Sequence, residues 1–226
     1  MRKYYKYKMN LTIGNIMSIL FLILACIPAK GIIEEFIENA SIKYFALIML
    51  LYLFWMALHE VLHGIGHIIN GVKINKISFG AAIEKGVLFC LIRKEVSKKD
   101  ILISLIFPFF FIGIVTYIIG MIIDNPTLVI LSIFNISGAS VDLLMFYNFM
   151  KLDKDITYIE PGDGTSFYLM SNNLKNKKLF GLDLIEEGTY SEDMFKGKKY
   201  KVFDISKTSY LFFSIMLIVI GLIIFL

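Results

Sequence analysis

The sequence predicts an α-helical polytopic membrane protein, with about five transmembrane helices and a small cytoplasmic β-hairpin after the second. Three observations predict that class. The chain is 57% hydrophobic and 19% charged, with a mean hydropathy of +0.71, whereas soluble domains are about half apolar and about a quarter charged. Its apolar residues fall into runs near the ~20 residues that cross a bilayer as helix. Its Lys and Arg residues cluster between alternate runs, as orientation signals do.

Residues 1–150 hold four of the spans. The first, about 11–28, is long for the core of a cleaved signal. Leu24 fits poorly in the lipoprotein-type box Ile23-Leu24-Ala25-Cys26, so the run reads as a retained span. The second span is 44–69. The third is 101–123, where Pro108 removes the bond to the Ser104 carbonyl and predicts a kink. The fourth, about 128–150, is entered through the turn Asp124-Asn125-Pro126. Residues 151–209 form a cytoplasmic segment, read as a small cap or a partly ordered tail, with ten acidic and ten basic residues that cancel. A fifth span follows at 210–226.

Orientation comes from the charges. Arg2, Lys3, Lys6 and Lys8 precede the first span, and residues 71–100 carry seven Lys or Arg. The loops of opposite parity carry only Lys30 and Lys43. The positive-inside rule then makes the protein a multi-pass protein of the cell membrane, with the N-terminus cytoplasmic and the C-terminus outside. Within 71–100, the β-branched and aromatic stretch 72–79, the turn Glu84-Lys85-Gly86 and the apolar run 87–92 read as a hairpin. Cys26 and Cys90 are far apart, have no metal-binding spacing and read as free thiols. No basic stripe interleaved with aromatics is present, which sets nucleic acid aside as a partner.

The chemistry lies in His59-Glu60-Val61-Leu62-His63, an HExxH motif. On a helix, residues four apart share a face, so both imidazoles point at one ion. Glu60 can reach a water on that ion, take its proton and pass it to a leaving amine. Zinc is the cofactor this pattern predicts, because it makes hydroxide available near neutral pH. The fifteen residues before the motif, 44–58, carry no charge. Ionisable groups placed directly after such a run are costly and mark function.

A third ligand is needed. Asp142 is the one acidic residue besides Glu60 well inside a predicted span. It lies ~21 Å below the top of the fourth span, against ~25 Å for the midpoint of His59 and His63 in the second. Gly138, Ala139 and Ser140 beside it permit close helix approach. On a straight helix His67 lies ~12 Å along the axis from His59, too far to share its ion. Only a helix break at Gly64 or Gly66 would make it a ligand; otherwise it is a polar residue at the helix end. Asn135 lies on nearly the same face as Asp142, placed for a substrate backbone, a ligand or an interhelical bond. The strand around Ile77, Ser78 and Phe79 is a candidate clamp, since an exposed edge can pair with an extended substrate.

An HExxH on one transmembrane helix with an Asp on a later one resembles the site-2 protease type of intramembrane metalloprotease. More closely, the stretch from about 58 to 170 resembles the zincin peptidase family catalogued as domain of unknown function 3267. The resembling segments are HEVLHGIGH, KISFG, FPFFFIG and NISGASVDLL. Site-2 proteases usually carry Leu-Asp-Gly after Asn-x-x-Pro. Here Val141-Asp142-Leu143 lacks the Gly, and Gly138 stands where the Pro would be. The resemblance implies a ligand role for Asp142 and proteolysis of a membrane protein or peptide at the lipid bilayer. Two other functions fit the same residues: a non-catalytic metal-binding or metal-transport protein, and an inactive protease-like scaffold. Intact Glu60 argues against the scaffold, and the shortage of further polar spans argues against transport.

Overall fold

A computed structural model describes residues 2–39, 41–82, 87–92, 94–160 and 166–191. The expected fifth span at 210–226 and the turn residues Glu84, Lys85 and Gly86 lie outside them. Strand β1 (Lys3–Met9) leads into α1 (Leu11–Cys26), which is capped by the Asn10 side chain accepting from the Ile13 N–H at 3.2 Å. Helix α2 (Lys30–Asn39) turns away from α1 by 89°. This stretch was expected to be a loop. Its acidic residues Glu34, Glu35 and Glu38 alternate with Ile32, Ile33 and Phe36, which pack with apolar residues of other helices, so it is amphipathic rather than unstructured.

Helix α3 (Ile42–Ile69) runs 28 residues from a Ser41 cap. A short 3-10 turn (Ile74–Lys76) precedes β2 (Ile77–Ala82), which pairs antiparallel with β3 (Val87–Ile92). The expected hairpin is present, although its first strand begins at Ile77 rather than at 72. After β4 (Val96–Ser97), α4 (Lys98–Pro108) continues into a π-helical turn (Phe109–Val115) and α5 (Thr116–Ile122). Together they make one 25-residue apolar helix. The predicted kink at Pro108 is thus absorbed as a widened turn. Helix α6 (Pro126–Gly138) and α7 (Ser140–Met150) meet at Ala139 with a bend of 47°. The small residues there break the fourth expected span, and a Cβ on Gly138 would meet nothing.

Among the described residues, two helices are long and apolar enough to cross a membrane, or up to four if each bent pair counts as one span. Many large apolar side chains on α1, α3 and α5 face outward, among them Ile16, Leu53 and Ile122.

The larger sheet was not expected. Strands β5 (Thr157–Ile159), β6 (Ser166–Ser171) and β7 (Leu182–Thr189) join β4 and β1 in an antiparallel sheet of order β4-β5-β6-β1-β7. It draws strands from all three basic segments, so these lie together at one end of the helices. In β1 the residues alternate: Tyr5 and Tyr7 are buried, while Lys6 and Lys8 are not. Tyr5, Tyr7, Tyr158, Phe167 and Leu169 form one face and pack with Ile101, Leu105, Met145 and Phe149 of α4 and α7. Residues 157–159, 166–171 and 182–189 are therefore strands of the fold rather than a tail.

Candidate metal centre

Helix α3 passes unbroken through Gly64 and Gly66 to Ile69. The two glycines are places of close approach. A Cβ on Gly64 would stand 2.8 Å from the Phe79 ring, and one on Gly66 would stand 2.7 Å from the Ser104 Cα. The absent methyl at Gly66 lets α3 and α4 meet backbone to backbone.

That contact orients His63. Its Nδ1–H donates to the Ser104 carbonyl at 2.9 Å, and the Ser104 hydroxyl donates back to the His63 carbonyl at 3.0 Å. His59 is held in the same manner from α6: its Nδ1 lies 2.7 Å from Asn135 Oδ1. The Asn135 amide nitrogen donates to the Pro108 carbonyl at 3.1 Å, which turns the amide oxygen toward His59. Both acceptors place a proton on Nδ1, so that in the neutral ring each Nε2 is left as a lone pair.

The two Nε2 atoms converge on Asp142. Its Oδ2 is 3.0 Å from His59 Nε2 and 3.5 Å from His63 Nε2. Ligand atoms of His59, Glu60 and His63 all lie within 4.8 Å of one another. Lone pairs facing a carboxylate repel unless a cation stands among them. Tetrahedral zinc with bonds of ~2.0–2.1 Å separates its ligand atoms by about 3.3 Å, close to the two separations seen. The donor set therefore fits a metal ion held by His59, His63 and Asp142, with Glu60 beside it.

These side chains line a cavity of about 400 Å³ that extends to Tyr158 of the larger sheet and to Glu160 just beyond β5. Glu60 accepts a hydrogen bond from the Cys90 backbone N–H of β3. The cavity is lined by Leu88, Phe89, Cys90 and Leu91 of that strand. The clamp residues expected from sequence are placed differently. Ile77 and Ser78 are buried on β2, and Phe79 packs against Gly64, so the strand beside the site is β3. Burial, with the Glu60 carboxylate nearby, pushes the Cys90 thiol well up, which keeps it protonated. Burial and then the Glu160 carboxylate push the Tyr158 phenol well up, and its hydroxyl donates to Glu160.

His67 is buried and stands apart from the metal group, with Nδ1 3.2 Å from Asp100 Oδ1. Its alternative role as a ligand depended on a helix break that does not occur. Asn135, expected at the substrate or as an interhelical contact, bonds His59 and the Pro108 carbonyl. Sequence reasoning missed Asp100, Ser104, Tyr158 and Glu160. Only Ser104 left a signal, as the carbonyl that Pro108 deprives of its partner.

No curated protein and no solved structure matches the chain. The model of the family described as "Putative zincin peptidase", domain of unknown function 3267, matches residues 52–157. That segment, a little under half of the chain, includes the HExxH motif, the hairpin, Ser104, Pro108, Asn135 and Asp142, and over it the chain is similar to this family.

Proposed function

We propose that the protein is a zinc-dependent endopeptidase that cleaves membrane-associated polypeptides, working from a site enclosed by membrane-spanning helices. The observation that carries this reading is the convergence of two tautomer-fixed imidazoles and the Asp142 carboxylate, with Glu60 adjacent. A zinc ion held by His59, His63 and Asp142 would supply Lewis acidity, lowering the pKa of a water toward ~7. Glu60 then takes the proton of the attacking water and delivers it to the amide nitrogen that leaves. The Cys90 N–H holds the carboxylate in place until that transfer. Asn135 and the Ser104 carbonyl keep the imidazole rings from turning.

Strand β3 is suited to hold substrate. Cys90 directs its N–H at Glu60 rather than at β2. Alternate residues of a strand share one edge, so the backbone groups of Leu88 and the Cys90 carbonyl face the cavity as well. A helical substrate segment shields its peptide bonds, and unwinding it onto this edge would satisfy its freed groups.

The outward apolar residues of α1, α3 and α5 support a bilayer around the helices. The basic segments gathered in one sheet support a common, cytoplasmic side for them. The test is a comparison of membrane proteomes from cells carrying wild-type or Glu60→Gln protein. A peptidase yields a fragment only with the wild type, while the purified variant keeps its zinc. A metal carrier or scaffold yields no such fragment and overturns the reading.

A further inference from the structure

We propose that Pro108 is the positioning residue that fixes both metal-facing imidazoles in one tautomer. It does so through two separate arms, neither of which touches the metal. The inference rests on the metal centre of the proposed function, and needs no peptidase activity.

The first arm is a missing donor. A residue at position 108 of α4 would ordinarily donate its N–H to the carbonyl of residue 104. Proline has no N–H, and its ring crowds that carbonyl outward. The Ser104 carbonyl is thereby released, and His63 Nδ1–H takes it at 2.9 Å. Ser104 is 1% exposed, so no bulk water competes for the carbonyl.

The second arm is an acceptor, the Pro108 carbonyl at the start of the widened turn. Beyond Pro108 the helix widens into the π turn Phe109–Val115. The Pro108 carbonyl accepts from Asn135 Nδ2 at 3.1 Å. A carbonyl can only accept, so this contact decides which way the Asn135 amide faces. Oδ1 is left 2.7 Å from His59 Nδ1. Gly113 makes room for the arrangement, since a Cβ there would stand 3.2 Å from Asn135 Nδ2. Other carbonyls of the widened turn also serve tertiary contacts, as when Trp55 Nε1 donates to the Ile112 carbonyl at 3.3 Å.

Without these arms the opposite tautomer gains. Nε2–H could donate to Asp142 Oδ2, already 3.0 Å from His59 and 3.5 Å from His63. A metal would then have to displace a hydrogen-bonded proton from each ring. Pro108 stands outside the first ring of ligands yet decides which nitrogen each ring offers.

The experiment uses full-length protein in detergent with 15N-labelled histidine. Since the chain has three histidines, their tautomers can be read individually at alkaline pH from two-bond 1H–15N correlations. Wild type should show Nδ1–H at His59 and His63. Pro108→Ala should lose that pattern at His63 and bind zinc about 10- to 100-fold more weakly, the usual effect of removing a partner that orients a ligand. Its helix content should be kept, because alanine favours helix. Unchanged tautomers together with unchanged zinc affinity would overturn the proposal. If Pro108→Ala does not fold, Asn135→Leu tests the second arm alone: His59 should lose Nδ1–H while His63 keeps it, and an unaltered His59 overturns the proposal. Neither readout needs a substrate. A protein that binds zinc in this way and cleaves nothing would sink the peptidase reading and leave this one standing.

Discussion

Gly66→Ala puts the geometry of the centre to a quantitative test. The added Cβ would lie 2.7 Å from the Ser104 Cα and 3.1 Å from its nitrogen. Both are backbone atoms, so no side chain can swing aside. Relief to an ordinary contact of about 3.4 Å or more needs α3 and α4 to part by about 0.7 Å. The reciprocal bonds at 2.9 and 3.0 Å would then stretch to about 3.6 Å or beyond, where a hydrogen bond is lost. Each buried group left unpaired costs about 1–3 kcal/mol, against the ~1 kcal/mol that alanine returns in helix propensity. The imidazole freed from its partner should bind metal about 10- to 100-fold more weakly. Competition titration against a chelator measures that affinity, and circular dichroism in detergent follows the helices. Gly66→Ala protein with wild-type zinc affinity and an unchanged or raised Tm would refute the argument that this contact aims His63.

Other expectations follow from the same geometry. Asp142→Ala should lower zinc affinity by an order of magnitude or more in the same titration; unchanged affinity would place the third ligand elsewhere. Leu88→Pro removes one cavity-facing N–H of β3 and touches no metal ligand, so cleavage of a reporter substrate should fall about tenfold or more with zinc content retained. Undiminished cleavage would rule out this edge as the clamp. Lys76→Cys, in the exposed turn before β2, should react with an impermeant thiol reagent in inverted vesicles and not in intact cells; labelling of intact cells would reverse the proposed orientation.

The parts of the site legible in the sequence are those carried by local spacing. The i and i+4 histidines fall on one helix, and helical arithmetic put Asp142 near their depth even though its helix is bent at Ala139. Pro108 was legible as the loss of a bond to the Ser104 carbonyl. That His63 would take this carbonyl depends on the approach of α3 and α4, which no periodicity encodes. Gly64 and Gly66 illustrate the same limit: read along the chain they are helix breakers, and read across it they are contact points. The larger sheet was hidden because its pairings are remote. Lys3 faces Ser171 on one side and Thr189 on the other. The alternation of lysine and tyrosine in β1 was present in the sequence, but its charges served first as an orientation signal and masked a strand pattern. The edge beside the metal centre was misplaced for a related reason. The two hairpin strands differ in composition, ISFGAA against VLFCLI, but composition does not say which one turns toward Glu60; only the fold decides that.

The placement of β1 between β6 and β7 has a consequence for biosynthesis. During translation β1 is made before any of the helices, and both of its sheet neighbours are made after α7. The cavity wall that includes Tyr158 and Phe167 can close only once β5 and β6 have left the ribosome. Until then the candidate metal ligands are already synthesised but not enclosed, and β1 waits with two unpaired edges. Such high contact order makes assembly slow and exposes strand edges to wrong partners. It also ties enclosure of the candidate metal centre to assembly of the sheet, so that a chain interrupted before β6 would carry the HExxH helix without the chamber around it.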